Sequence, residues 1–400
     1  MNNKKVAVIT AVVSAVIAGS TAWCFRGLYD IYAHKDIYTK VAGVESVLNN
    51  DFLYDYDSEK LADYAALGMT MSLEDPYTVY YNKKQFTEYT DDAGGDFIGI
   101  GVTVVWDKEN DEIEVTSVMD NSPGKEAGIL PGDVIVAVEG ERYTGTQMNE
   151  AVSKIKGTEL ENPENTSVTV TVMRKNKELD LTLVRKRIHQ ETVTCEMIDG
   201  EIGIIRISAF NTSSKDGEKS TDEEFESALD TLNIKGMKKL IIDLRDNGGG
   251  DLGSVSNIID MIVPEGLIMY SENKYGKREE LTSDENELNI PIAVIVNGNS
   301  ASASELMTGA LKDYGKAKII GTKTFGKGVM QAIYPFIDGS GMVVTIAKYF
   351  TPGGTCVHDE GITPDIVSEL PDDVKDLPVT SIPRDKDVQL QAAIDCLKSK

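Results

Sequence analysis

Residues 291–315 read PIAVIVNGNSASASELMTGALKDYG. Pro291 to Val296 is an apolar run without polar alternation. Asn297-Gly298 then turns the chain, and Asn299-Ser300-Ala301-Ser302-Ala303-Ser304-Glu305 enters a stretch in which Leu306, Ala310 and Leu311 recur at helical spacing. A strand apolar on both faces and followed by a helix belongs in a largely parallel sheet covered by crossover helices. The same alternation runs outward through IGIIRISAF (202–210), EEFESALDTL (223–232), KKLIIDLRD (238–246) and SVSNIIDMIV (254–263). The part of the chain after Arg185 is therefore predicted to be α/β.

The junction at 299–305 also suits chemistry. Small residues leave open space beside a helix N-terminus, where free N–H groups and the helix dipole stabilise developing negative charge and so favour a nucleophile. A plainer reading exists, because Ser302-x-x-Glu305 is a capping box, and spacing alone does not choose among Ser300, Ser302 and Ser304. No histidine offers itself as a base. His34 follows the apolar N-terminal stretch, His189 lies in the basic segment RKRIHQ and His358 in a Gly-rich loop. Lys327 remains, in Thr324-Phe325-Gly326-Lys327-Gly328-Val329-Met330-Gln331. Burial among glycines and apolar residues would lower a lysine pKa from about 10.4 toward roughly 7 to 8, where the amine accepts a hydroxyl proton. Gln331 is placed to orient it. The alternative is a solvated loop lysine.

Upstream the texture changes. From Gly94 to Val184 short alternating strands surround one helix, Thr146 to Lys156, which predicts a compact β-rich module. It opens with Phe97-Ile98-Gly99-Ile100-Gly101-Val102, where two glycines let backbone N–H groups converge on a carboxylate or simply make a β-turn. Residues 28–92 read as a small helical region, with KVAGVESVLNN and EKLADYAALGMTMSL as its apolar-periodic stretches. Val6 to Phe25 is twenty residues without a charge behind Lys4 and Lys5, enough to span a bilayer core of roughly 30 Å with the lysines left cytoplasmic. A cleaved signal peptide is the rival reading.

Composition narrows the functional classes. Four hundred residues exceed a single core, and 41% hydrophobic with 26% charged residues describes a folded chain. A net charge of −25 repels nucleic acid and anionic lipid surfaces. Cys24, Cys195, Cys356 and Cys396 form no CxxC pair and no HExxH occurs, so neither a metal site nor a disulfide framework is indicated. Two motif matches carry nothing. Gly248-x-Gly250-x-x-Gly253 fits a dinucleotide fingerprint, but Arg245, Asp246 and Asn247 separate it from the strand and no strand-end acid follows. Ser271-Glu272-Asn273-Lys274 fits SxxK, yet reads as a charged loop without SDN or KTG partners.

Residues 121–135, NSPGKEAGILPGDVI, resemble the SPA-x-x-AG-L-x-x-GD-x-I stretch of PDZ domains. That resemblance implies that Thr146 to Lys156 lines a peptide groove and that Ile98, Gly99, Ile100, Gly101 and Val102 bind a terminal carboxylate. NGNSASASE, with Lys327 of TFGKG twenty-five residues after Ser302 and Gln331 beyond it, resembles the C-terminal processing peptidases, or tail-specific proteases. Their order of membrane segment, helical region, PDZ domain and α/β core spans nearly the whole chain. The resemblance implies Ser302 as nucleophile, Lys327 as general base and Gln331 as the residue that positions the lysine. Arg245 to Gly250 is similar to the family's DLR-x-N-P-G-G loop with Gly248 in place of Pro, which implies oxyanion N–H groups from Gly249 and Ala303.

The implied molecule is multidomain α+β: a signal-anchor or transmembrane segment over 1–27, a helical region over 28–93, a PDZ β-module over 94–186, and a crotonase-like ββα protease core over 187–400 with a helical tail. Its implied activity is that of a single-pass, membrane-anchored serine endopeptidase facing the extracytoplasmic side and recognising free C-termini of protein or peptide substrates. No cofactor, metal or nucleic acid is expected, and homodimerisation stays open. The alternative from another class is a catalytically silent PDZ scaffold.

Overall fold

The computed structural model describes residues 34–160, 162–212, 218–375 and 377–399, and the chain divides into two compact units between Asp75 and Pro76. The apolar stretch 6–25, with the membrane segment expected there, lies outside the described residues. Among those described, no helix is long and apolar enough to cross a membrane. The first unit carries helices Lys35–Asp51 and Ser58–Met71. The second of these begins where the Asp57 carboxylate accepts the N–H groups of Glu59 and Lys60, at 2.9 and 3.1 Å, satisfying donors that a helix start leaves unpaired.

In the second unit the predicted α/β rhythm becomes a six-stranded sheet. Its order is Val193–Ile198, Ile202–Ile207, Lys239–Asp243, Ile292–Val296, Ala317–Gly321 and Ile366–Val367. The first pair is antiparallel and the remainder parallel. Crossover helices Thr221–Ile234, Leu252–Asp260 and Ala303–Asp313 all cover one face. Alternation along each strand sorts the side chains. Leu240, Ile242 and Val294 meet those helices, whereas Ile241, Ala293 and Ile295 meet Leu390, Ala393 and Leu397 of the C-terminal helix Val388–Lys398. Strands buried on both faces explain the unbroken apolar runs, each full side-chain burial contributing about 1.5–3 kcal/mol.

A second, antiparallel sheet lies in the same unit. Gly341–Phe350 pairs with Val79–Tyr81, Val329–Pro335 and Gly266–Asn273, and the last of these with Arg278–Ser283. Two sequence expectations change here. Residues 76–93 belong to the second unit instead of ending the helical region, because Val79–Tyr81 pairs with Gly341–Val343. Ser271 to Asn273 is the end of a strand in a hairpin, not a charged loop, and the Ser271 side chain is buried.

The β-rich module has its own core around Ile113, Val115, Ile135, Val170 and Ala151. Its sheet runs Val102–Asp107, Glu112–Val118, Val134–Val138, Ser167–Arg174 and Lys177–Val184, which leaves Val102–Asp107 on an edge. The expected helix runs Met148–Lys156 behind a short 3₁₀ turn, Gly145–Gln147, and stops at Gly157 in the left-handed region at φ +73°. Entry and exit of the module form a two-stranded ribbon, Asp96–Gly99 against Lys186–His189, closed by Gln190 N–H donating to the Gly95 carbonyl at 2.9 Å.

Candidate active site

The three serines of the junction separate by what their hydroxyls do. Ser300 is fully buried and donates to the Leu244 carbonyl at 2.8 Å. Ser304 is fully buried as well and donates to the Asn247 carbonyl at 2.9 Å. Ser302 is half-buried and stands at the start of helix Ala303–Asp313 with φ +56° and ψ −114°. A side chain with a Cβ rarely adopts that conformation, and such strain gathers at functional turns between strand and helix. The following residue, Ala303, is the first of the helix, so its N–H needs no intrahelical acceptor and points out of the helix start.

Glu305 does more than cap. Its side chain has no solvent exposure, and its carboxylate gathers four donors from two segments. Oε2 accepts the N–H groups of Ser302 and Lys327 at 2.9 and 2.8 Å. Oε1 accepts the Thr324 hydroxyl at 2.6 Å and the Gly326 N–H at 2.7 Å. Tyr349 closes the same junction from the opposite polarity, its hydroxyl lying 2.9 Å from the Ser302 carbonyl and 3.1 Å from that of Lys327. Burial, reinforced by the negative charge of Glu305 and by Cys356, pushes the Tyr349 phenol well above its ordinary range and keeps it a donor. Residues 302 and 327 are thus tied main chain to main chain, although they sit on different segments.

Lys327 is half-buried. Its Nζ donates to Gln331 Oε1 at 2.7 Å and lies 5.0 Å from the centre of the Tyr77 ring. Gln331 in turn donates Nε2 to the Tyr77 carbonyl at 2.6 Å. Gln331 thus meets the amine where the sequence put it, and the surroundings expected to be glycines and apolar residues also include the Tyr77 ring. Ser302 and Lys327 side chains share no hydrogen bond.

The glycine loop lies against Ser302 and its neighbours. Gly249 has φ +105°, and any Cβ there would come within 2.8 Å of the Ala301 carbonyl oxygen and of Ser302 Cβ, and 3.0 Å from Ala303 N. Its N–H, however, donates to Asn247 Oδ1 at 2.8 Å. Gly249 is placed beside Ser302 as expected, but its named donor is engaged in this state. The cause is Asn247, fully buried, whose Nδ2 donates to the Ile207 carbonyl and so turns Oδ1 toward Gly249. A buried ion network roots the loop: Arg245 donates to Asp243 at 2.7 and 2.9 Å and to Asp387 at 2.9 Å. Although burial works the other way, Arg245 and Arg206 hold the Asp243 carboxyl below its ordinary range. The dinucleotide alternative fails on chemistry. Asp251 caps helix Leu252–Asp260 through Ser254 N–H at 2.7 Å, putting a carboxylate where a pyrophosphate would sit.

In the β-rich module, Ile98 and Gly99 are strand residues of the ribbon, paired with Arg187 and Lys186. Ile100 and Gly101 make the turn, at φ +69° for Gly101, and their carbonyls accept Gly124 N–H at 2.7 Å and Met119 N–H at 2.9 Å. Val102 begins the edge strand. Of the residues 98–102 expected to bind a carboxylate, only Ile100 and Gly101 therefore lie outside strands, next to the sheet-edge strand Val102–Asp107. Among the described residues, no group of His, Cys, Asp and Glu could hold a metal ion.

Sequence reasoning did not find Tyr349, Tyr77 or the second half of Glu305's role. Nothing local in Tyr349-Phe350-Thr351-Pro352-Gly353-Gly354 says which carbonyls a tyrosine hydroxyl will reach.

Comparison with known proteins gives two family matches: peptidase family S41 over residues 201–368 and a PDZ domain over 114–174. The protein named Probable CtpA-like serine protease in Staphylococcus aureus strain COL is 38% identical over 337 residues, 83% of this chain and 65% of that protein. A relative of the same name in Staphylococcus saprophyticus is 34% identical over 374 residues, covering 91% of this chain and 72% of its own length. The chain therefore spans 65% of the length of the S. aureus relative. A solved structure from Bacteroides fragilis described as an S41 protease shares the fold, with TM-score 0.57 at 16% identity over 88% of this chain and 92% of that one.

Proposed function

This chain belongs to peptidase family S41, and from that premise we propose that it is a serine endopeptidase working through Ser302 and Lys327. The observation that carries the reading is the double tie between those residues. One carboxylate, Glu305, holds both N–H groups, and one hydroxyl, that of Tyr349, faces both carbonyls. Such bracing fixes the distance between a strained serine and a lysine from another segment, as nucleophile and base require.

In this mechanism Ser302 Oγ attacks the scissile carbonyl carbon while Lys327 Nζ takes its proton. A neutral amine donates to Gln331 Oε1 and keeps its lone pair for the serine. Gln331 can present only its oxygen there, because its Nε2 is spent on the Tyr77 carbonyl. Substrate lying over the half-exposed lysine would remove water from it and favour the neutral form. The developing oxyanion would meet the Ala303 N–H and the 248–250 loop, each donor being worth roughly 3–4 kcal/mol. Collapse breaks the C–N bond, the ammonium returns its proton to the leaving amine, and water then resolves the ester. The mixed sheet, with its crossover helices on one face and the C-terminal helix on the other, is in keeping with a crotonase-like core. The PDZ domain would present substrate C-termini by pairing them with the edge strand Val102–Asp107. The uncharged stretch 6–25 behind Lys4 and Lys5 supports a membrane tether that leaves these domains extracytoplasmic.

The test uses casein and a peptide with an apolar C-terminus. The parent cleaves both, and Ser302→Ala or Lys327→Ala lowers kcat by at least about 10⁴-fold. The amidated peptide turns over more slowly. Cleavage that survives both substitutions would remove the dyad, and no cleavage by the parent at any pH would favour a PDZ scaffold.

A further inference from the structure

Tyr77 touches the base side of the site twice, yet it lies outside both matched segments, 114–174 and 201–368. Its carbonyl accepts Gln331 Nε2 at 2.6 Å and its ring lies 5.0 Å from Lys327 Nζ. The segment carrying it is firmly seated. Val79, Tyr80 and Tyr81 pair with Val343, Met342 and Gly341, and the Thr78 hydroxyl accepts Thr345 N–H at 3.1 Å. Tyr80 is buried and stacks on Phe336 with ring centres 6.5 Å apart. A strand from the far end of the sequence thus delivers this ring to the lysine.

We propose that Tyr77 is a positioning residue for the general base, its carbonyl choosing which end of Gln331 meets Lys327 and its ring holding the ammonium between turnovers; this rests on the Ser302/Lys327 reading. The two ends of a glutamine amide are alike in shape. Only Nε2 can donate to a carbonyl, so the Tyr77 oxygen forces Oε1 toward the lysine, whereas the flipped amide would set donor against donor. An aromatic face attracts an ammonium far more than a neutral amine. The ring therefore favours the protonated state and raises the pH at which the base becomes available. Other ionisable groups stand around this pair. Glu305 accepts the Lys327 main-chain N–H, the Tyr349 hydroxyl faces its carbonyl, and His358 lies across the Tyr77 ring at 6.3 Å with Asp359 3.8 Å from its Nε2.

The experiment measures, on the full chain, the rate of Ser302 labelling by a fluorophosphonate probe against pH, with kcat and KM for casein alongside. Tyr77→Leu keeps the main-chain carbonyl and removes the ring. Its acid limb is expected about half a pH unit lower than the parent's, with kcat down on the order of tenfold through looser placement of the amine and KM within about twofold. Tyr77→Phe restores both limb and kcat. Repeating the pair with His358→Gln removes the one imidazole beside the ring from the profile, and the half-unit difference should persist. Should the Leu variant lose its cooperative melt, Tyr77→Met carries the same comparison. Superimposed parent and Leu (or Met) profiles, or a Phe variant that fails to restore the limb, overturn the role of Tyr77 alone. A parent that never labels at Ser302 overturns the protease reading with it.

Discussion

Ser302 is held at φ +56° and ψ −114°, the mirror image of ordinary extended backbone. For a residue with a Cβ this is costly, on the order of 1–3 kcal/mol, whereas glycine occupies it freely. Replacing Ser302 by Gly should therefore give an inactive protein about 1 kcal/mol more stable than Ser302→Ala, read from paired denaturant melts. Equal stability of the two variants would mean that no strain resides there. At this scale the sequence was only partly legible. Spacing could not choose among Ser300, Ser302 and Ser304; the family pattern pointed to Ser302, which in the structure is the half-buried one of the three and the one at positive φ. The other two hydroxyls are buried on the carbonyls of Leu244 and Asn247, partners more than fifty residues away in the chain. A residue's neighbours across a sheet leave no mark on its own local pattern.

At the scale of elements, helix Ala303–Asp313 is buried from Ala303 to Leu311, and Glu305 is the acid its first turn turns inward. The capping-box reading was right about one bond and silent about the other three, which come from Thr324, Gly326 and Lys327. Glu305→Gln has the same size but sets an amide NH₂ against two donors. It should cost about 2–4 kcal/mol of stability, since each unpaired buried group costs roughly 1–3 kcal/mol. On the proposed Ser302/Lys327 mechanism, a melt that also reports kcat would find activity lowered about a hundredfold or more, because both residues lose the same tie. Wild-type kcat in Glu305→Gln would show that the four bonds serve the fold alone. The parallel strands and their helices were readable from apolar runs. The antiparallel sheet was not, because Gly266–Asn273 and Val329–Pro335 are mixed in polarity and burial, Arg278–Ser283 is exposed but for Ser283, and Val79–Tyr81 and Gly266–Asn273 find their partner Gly341–Phe350 far along the sequence.

For the molecule as a whole, the strand end Lys239–Asp243 and the C-terminal helix are bonded through Asp243, Arg245 and Asp387, all buried. The folded state holds the Asp243 carboxyl below the ordinary value of 3.8, so it binds protons less readily than the unfolded chain does. Its contribution is complete above that ordinary value and is lost as pH falls through the lower folded one. Thermal melting should accordingly drop steeply below about pH 4. Arg245→Met, which strands two carboxylates, should cost about 3–5 kcal/mol at neutral pH and much less at pH 3. Parallel losses at both pH values would count against the network. The overall charge of −25 forecast a chain indifferent to nucleic acid, but it could not foretell that, among the described residues, Arg185 and Arg245 would be buried.

The ribbon Asp96–Gly99 and Lys186–His189 brings the two ends of the PDZ module side by side, with Gly95 and Gln190 already bonded. In engineering terms the module is a cartridge, and this ribbon is the socket into which it plugs. Splicing a two-residue Asn-Gly hairpin between Gly99 and Lys186 should yield a shortened chain that still folds cooperatively. A foreign peptide-reading module with equally close termini could be seated in the same slot, redirecting which tails are brought to Ser302.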